Sequence, residues 1–470
     1  MNNYSKLEYE IEKIQHIKNS INILNWDIAV NTPKGSIESR SREIAELSKI
    51  TDERLLSPKL IELIENINLE ELDEWQKANV REIRRDIRES SYFNHKQKEE
   101  YILATTKCEY AWRQAKQENN YNVIKPHLSE VISYVVELAT KKSELLNVSK
   151  YQALVDIYDP DCSLLEITNN FNELKIHIPQ LIPQIVEKQA VEKFIPIESI
   201  NHNLQKKISI RIMEIMGFDF SKGRIDDSTH PFCMGTPYDT RITNRYDANN
   251  FISGVMGVIH ETGHALYEQS LPVNYKNQSV GRAKGMAIHE SQSLIMEMQI
   301  GRTREFCAFL SKLLRDEFQL TGEMYSEQNL YLLNTRVKPS CIRVDADEVT
   351  YPMHIILRSE IEELLINKTL DLADLPSCWN DKMSKYLGII SKDNKNGCLQ
   401  DIHWFMGNFG YFPSYINGAI IASSLMKNAI QQADVMHDIE IGKFTSINKY
   451  LNKNIRSKGS FQNGTGHPIV

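Results

Sequence analysis

The hydrophobic pattern of this chain is that of a long succession of helices. Between residues 4 and 24, Leu7, Ile11, Ile14, Ile17 and Ile21 recur at spacings of three and four, an apolar stripe that predicts a helix ending near Asn25-Trp26-Asp27. Thr32-Pro33-Lys34-Gly35-Ser36 turns the chain, and Ser36 is placed to cap a helix through Leu47. Residues 58–146 read as long, highly charged helices whose Glu-Lys and Glu-Arg spacings suit a solvated outer layer with no chemistry of its own, or else one wall of a substrate cleft. Asp159-Pro160-Asp161 and the prolines Pro179 and Pro183 punctuate the next helices, and Met213-Glu214-Ile215-Met216-Gly217 has the form of a glycine-ended C-terminus. Over 218–249 the helical period fails. Short alternating pieces around Gly235 and Pro237 predict a small β-ribbon, which is either a plain surface hairpin or an edge that pairs with an extended peptide.

Helical periodicity then returns. Ile252, Val255, Met256, Ile259 and Leu266 mark one amphipathic helix, and Leu294, Ile295, Met298, Phe306 and Leu310 carry another past Glu290 to about Leu314. The longest nearly uncharged run, Phe409 to Met426, holds Pro413, Asn417 and Gly418 and reads as loop plus buried helix rather than a membrane span. Length alone, 470 residues, suggests about three domains. No linker, low-complexity tract or repeat supports that division, so the expectation is an all-α fold, one large helical body over 1–470 with a small β-ribbon.

Composition narrows the function classes. The N-terminus is polar and acidic with no signal peptide, and seven scattered cysteines without CxxC pairs fit reduced thiols in the cytoplasm. A net charge of −7 without a basic block argues against nucleic acid as a partner.

The chemistry concentrates in His260-Glu261-Thr262-Gly263-His264, an HExxH on the amphipathic helix. Residues four apart share a helix face, so His260 and His264 can each point a nitrogen at one Zn²⁺, with Glu261 over the open side as general base. The competing reading is two surface histidines and a solvated glutamate, so a third ligand decides. Glu268 sits two turns beyond His260, about 12 Å along the axis, too far to share one ion. Glu290, in Ile288-His289-Glu290-Ser291-Gln292-Ser293, can reach it from a facing helix and leaves a fourth position for water. Two further clusters stand out. Arg343, within Cys341–Glu348, is either a bidentate partner for a carboxylate or half of a structural ion pair. Gly397–Trp404 and Phe409–Tyr415 crowd His, Trp and Tyr among Gly and Pro, either as a site wall or as core.

In chain order the stretches DTRIT, HETGH, HESQS, IRVDAD and GCLQDIHW resemble the signature set of the M32 metallocarboxypeptidases, the thermostable carboxypeptidase Taq family. The likeness runs from Trp26-Asp27 and Thr32-Pro33-Lys34-Gly35 through Tyr411-Phe412-Pro413-Ser414-Tyr415. It implies a gluzincin-like helical body with a deep central groove, a homodimer, Zn²⁺ or Co²⁺, and release of single C-terminal residues from peptides with broad specificity. Carried over by position, the resemblance makes His260, His264 and Glu290 the metal ligands and Glu261 the base and proton shuttle. It makes Arg343 the anchor for the substrate's terminal carboxylate. His403, Trp404 and Tyr415 match wall positions, with Tyr415 donating to the oxyanion or the substrate's end, or Tyr411 in its stead. Asp239 and Arg241 would shape the ribbon at the cleft. Leu294-Ile295-Met296 stands where the family carries an arginine and an aromatic residue, a departure that bears on packing or a dimer contact. Gly464–Val470 resembles the start of a closing segment whose last helix is absent, an expected shortening that bears on stability or dimerisation.

The mechanism so implied has water activated by the ion, deprotonated by Glu261 and added to the scissile carbonyl, the oxyanion being held by the metal and by Tyr415 or His403. A zinc endopeptidase using the same centre, and a silent helical scaffold, are the alternatives. A soluble cytoplasmic enzyme trimming peptides left by upstream proteolysis, without membrane or nucleic acid partners, is the expectation.

Overall fold

The computed structural model describes residues 2–228 and 230–462; the closing stretch Gly464–Val470 lies outside them. The first helix, Asn3–Val30, is capped by the Asn2 side chain accepting from the Ser5 amide. It continues past Asn25 because Trp26 is buried there, with the Arg241 guanidinium 4.4 Å above its ring and Asn22 donating to the Gly235 carbonyl at 3.2 Å. The second, Ile37–Leu55, starts after Ser36 without a side-chain cap and outruns Leu47 because Thr51 and Leu55 are buried. Pro179 and Pro183 do not separate helices. Both lie inside Leu164–Gln189, whose buried Ile167, Phe171, Ile178 and Ile182 hold one continuous stripe against the core, while Pro183 sits on the exposed side.

The ribbon has a third strand. β1 (Gly223–Asp227) pairs in parallel with β3 (Asp239–Asn244), and β2 (Phe232–Thr236) pairs antiparallel with β3 on its other side. Asn244, fully buried at the end of β3, donates to the Gly254 carbonyl at 2.9 Å and so ties the sheet to the helix Phe251–Gln269 that carries HExxH.

The long helix expected through Glu290 is broken into parts. Met286–Leu294 passes into a π-helical turn, Ile295–Ile300, closed by the Gly301 amide on the Met296 carbonyl at 2.8 Å, and a new helix, Arg304–Phe318, starts under a Thr303 cap. A π turn widens the helix by one residue and re-aims the next stretch of chain. Gly285 offers no side chain to the first turn of Met286–Leu294. Asp159, at the end of the helix Lys150–Tyr158, supplies it from elsewhere in the chain, accepting the Ala287 amide at 2.6 Å.

Two large apolar cores meet at the helix Pro413–Gln432. Ile416 belongs to the one built on the charged helices of the first half and on Tyr351–Ile366; Ile421, Ala422 and Leu425 belong to the one built on the HExxH helix. Two glycines set how closely three helices approach at this seam. A Cβ on Gly263 would stand 2.3 Å from the Gln292 carbonyl oxygen, and one on Gly418 would stand 2.9 Å from the Glu290 Cβ. Gly263→Ala therefore has to push the HExxH helix off the backbone of Gln292 and Ser293. A loss of about 1–3 kcal/mol is expected, together with weakened metal binding. Chemical denaturation of the metal-free protein and a metal titration check this, and an unchanged midpoint would contradict it.

Candidate metal centre

Helix Phe251–Gln269 places His260 and His264 one turn apart, and the facing helix Met286–Leu294 aims Glu290 between them. Glu290 Oε1 lies 3.7 Å from His260 Nε2, and Glu290 Oε2 lies 3.5 Å from His264 Nε2. One ligand atom from each residue falls within 4.8 Å of the other two. Ligand atoms about 2.1 Å from a tetrahedral zinc are about 3.4 Å apart, so the donor set and its spacing fit a divalent cation. The Oε2 atom of Glu261 adds to the fit: it is buried with no hydrogen-bond partner from the protein.

Each histidine is held from behind by residues that the motif spacing does not single out. His260 Nδ1 meets Glu297 Oε2 at 2.8 Å, and Glu297 Oε1 accepts from Arg302 at 3.1 Å. Glu297 stands seven residues after Glu290, about two turns along, and the π turn carries it. That i+7 spacing is the signal available in the sequence, but it cannot say which histidine the carboxylate finds. His264 Nδ1 meets His289 Nδ1 at 2.7 Å, and His289 Nε2 meets Glu268 at 2.9 Å. Glu268 is thus near the centre without joining the three-residue cluster.

Electrostatics follow from this crowding. Burial works against charge on His260, but Glu290 and the bond to Glu297 outweigh it and raise its pKa to about 10. Burial lowers His264 to about 4, with His289 adding to the effect. Burial raises Glu261 to about 7, partly opposed by His260. Glu297, despite burial, is lowered to about 2 by the hydrogen bond and charge of His260 and by Arg302.

Across the seam Arg343 is buried and gripped by Asp401, Nε to Oδ2 at 2.7 Å and Nη2 to Oδ1 at 2.9 Å, while Nη1 donates to the Tyr351 hydroxyl at 3.1 Å. Arg358 binds the same carboxylate at 2.9 Å, and His403 Nδ1 lies 3.2 Å from it. Arg343 is thus half of a buried ion pair, and with Arg358 on the same carboxylate the cluster holds two guanidinium groups to one carboxylate. Tyr415 packs over Arg343, its ring centre 5.4 Å from the guanidinium carbon, with Tyr411 at 5.3 Å and His403 at 6.5 Å from it. Burial raises the hydroxyls of Tyr415 and Tyr411 well above the usual tyrosine range, so both stay protonated donors. Burial lowers His403, keeping it neutral.

Trp404 is not on this wall. Its indole N–H donates to Glu362 at 2.9 Å inside the core, and its ring packs on Trp379 and Phe409. His403 and Trp404 share a 3₁₀ turn, His403–Met406, in which consecutive side chains diverge by about 120°. Asp239 and Arg241 pair with each other at 2.6 Å on the ribbon, and the Arg241 guanidinium lies over Trp26.

Two histidines from one helix and a glutamate from another, around a buried unpaired glutamate, are the working parts of a metal-dependent peptidase. The profile described as "Carboxypeptidase Taq (M32) metallopeptidase" matches residues 6–467, and the chain belongs to this family of metallocarboxypeptidases. It is 31% identical to carboxypeptidase 1 of Bacillus subtilis, over 96% of this chain and 90% of that protein. It is 32% identical to thermostable carboxypeptidase 1 of Pyrococcus furiosus, over 95% and 90%. Among solved structures, metallocarboxypeptidase 1 of Trypanosoma cruzi superposes with a TM-score of 0.95 at 33% identity, covering 98% of this chain and 94% of that one. The protein is therefore a peptide hydrolase that uses a divalent metal.

In the metal-free protein His260 carries a proton at neutral pH, and its Nε2 must give up that proton to coordinate. Metal loading at about pH 7 should release close to one proton from His260 plus a fraction from Glu261, so that affinity rises as pH rises from about 6 to about 8. Titration calorimetry in two buffers of different ionisation enthalpy counts these protons. A count of zero would show that His260 is neutral before the metal arrives.

Proposed function

We propose that this chain is a zinc-dependent carboxypeptidase of broad specificity that removes single C-terminal residues from peptides, with Glu261 as its general base. The observation that carries the carboxypeptidase polarity is the buried charge count beside the metal centre. Arg343 and Arg358 share the single carboxylate of Asp401, while His403 is neutral, leaving one net positive charge buried next to Tyr415. A site that must hold a terminal carboxylate one residue beyond the scissile bond calls for such a charge. Tyr415 links the two regions, since it covers Arg343 and lies one turn before Gly418, which touches Glu290.

His260, His264 and Glu290 would hold the cation, which when bound supplies Lewis-acid polarisation of the carbonyl and acidifies water. Glu261, unpaired and buried, takes the proton of the attacking water and delivers it to the leaving amine. Tyr415, with Tyr411 or His403, donates to the developing oxyanion or to the substrate's end. β2 is an edge strand that runs beside Glu261, close enough for that carboxylate to raise the Cys233 thiol after burial has done so, and the part of its edge not taken by Asn22 suits an extended peptide. Main-chain pairing of that kind reads no side chain, which supports broad specificity. Among the described residues no helix is long and apolar enough to cross a membrane. A homodimer acting in the cytoplasm on peptides from upstream proteolysis completes the proposal.

The test is mass spectrometry of one peptide and its C-terminal amide, each incubated with zinc-loaded protein. Stepwise loss from the free terminus alone is expected, falling by about 10²–10⁴ in Glu261→Gln. Internal cuts in both peptides would make the enzyme an endopeptidase and remove the role of Arg343. In Arg343→Met the KM for the free peptide should rise by about tenfold or more, as expected when a charge-assisted contact is lost.

A further inference from the structure

We infer that Glu268 and His289 form a relay that fixes the tautomer and orientation of His264, so that a carboxylate too distant to be a ligand sets the strength of the metal site. The inference rests on His264 being a ligand, as proposed above. Coordination through His264 Nε2 gives the relay a single direction. An ionised carboxylate only accepts hydrogen bonds, so the 2.9 Å contact between Glu268 and His289 puts a proton on His289 Nε2. With a cation on His264 Nε2 the one remaining proton of that ring sits on Nδ1, and across the 2.7 Å contact it can only be donated to a lone pair on His289 Nδ1. What remains is a lone pair on His264 Nε2, the atom that faces Glu290 at 3.5 Å. The two ring planes differ by 27°, with centres 4.6 Å apart and the two Nδ1 atoms in contact.

The fold makes this arrangement from two helices. Glu268 lies one turn beyond His264 on the HExxH helix, and His289 comes across from the facing helix, one residue before Glu290. The Tyr267 ring, 5.5 Å from His289 and fully buried, backs the imidazole on its other side. His260 is held differently, by the direct bond to Glu297. Both ligands thus end on a carboxylate, one after a single hydrogen bond and the other after two. In the longer relay the carboxylate acts only through His289, so that loss of Glu268 frees His289 to switch tautomer. A switched His289 would present N–H to N–H at His264 and push the His264 proton onto Nε2, where no cation can bind.

Glu268 and His289 are positioning residues, and the readout is metal affinity rather than turnover. Zn²⁺ dissociation constants would be measured by competition with a chromophoric chelator, and unfolding of each metal-free variant would be followed by circular dichroism. His289→Phe removes the acceptor for His264 and should weaken Zn²⁺ binding by about 10–100-fold, the usual scale for a lost outer partner. Glu268→Leu should weaken it by about tenfold, and Glu268→Gln, whose amide oxygen accepts the same bond, should restore it to within about threefold of wild type. The pair Glu268→Leu/His289→Phe should bind no more weakly than His289→Phe alone, because the two act in series. Equal losses in Glu268→Gln and Glu268→Leu, or wild-type affinity in His289→Phe, would overturn the relay. His264→Ala separates the two readings: unchanged Zn²⁺ affinity there would remove His264 from the ligand set. Lost affinity there with unchanged affinity in His289→Phe would leave the ligand in place and the relay refuted.

Discussion

The close approach of three helices at Glu290 is the constraint on which the rest of the site depends. Packed helices ordinarily keep their axes about 8–10 Å apart, a distance set by the side chains between them. Gly263 and Gly418 remove those side chains where the HExxH helix and the helix Pro413–Gln432 press on Met286–Leu294. Glu290 is thereby held at 5% exposure with both oxygens turned to imidazoles. A buried carboxylate is costly unless paired, and here the partners are the two histidines, with which it would share a cation. The trans cap from Asp159 fixes the start of the same helix, so Glu290 is located at its N-terminal side by a hydrogen bond and on its flanks by glycine contacts.

Charge is then distributed in two opposed pools across the seam. Around His260 stand Glu261, Glu290 and Glu297, a surplus of negative charge suited to a divalent cation. Around Asp401 stand Arg343 and Arg358, a surplus of positive charge suited to a carboxylate. One helix, Pro413–Gln432, spans both, with Tyr415 over the guanidinium and Gly418 against the glutamate. In the proposed function, a peptide bridging the pools would have only one favourable polarity, and that helix would set the distance between scissile bond and chain end.

Much of this is legible in the sequence because it rests on local spacing. A spacing of four between histidines, a glutamate on the next helix, a glycine-ended helix at Gly217 with φ of +98° and a break in period over 218–249 all depend on neighbours along the chain. The hidden part depends on tertiary approach. Distance along the helix axis keeps Glu268 away from the ion, yet the same argument cannot show His289 arriving from another helix to meet it. The parallel partner β1 gives no hairpin signal, because its pairing with β3 skips a strand. His403 and Trp404 look equivalent as neighbours in one aromatic stretch, and only the 3₁₀ turn separates the residue facing Asp401 from the one facing Glu362. The π turn at Ile295–Ile300 leaves no mark on an apolar period that runs through it.

The departure at Leu294-Ile295-Met296 finds its physical reason in the same place. All three side chains are buried in the core beneath the metal centre, where apolar volume costs nothing in desolvation. The polar neighbour Gln292 still needs a partner, and a guanidinium reaches it from far along the chain: Arg456 donates to Gln292 Oε1 at 2.9 Å and to Asn448 Oδ1 at 2.9 Å. Arg456 is fully buried with amide oxygens rather than a carboxylate around it, and burial lowers its pKa to about 9. The bond to Gln292 ties residues 448–456 to the helix of Glu290, and the bond to Asn448 holds the guanidinium within its own segment. The late part of the chain is thus fastened to the backbone that Gly263 touches, and the metal centre has its support closed from the side opposite the seam.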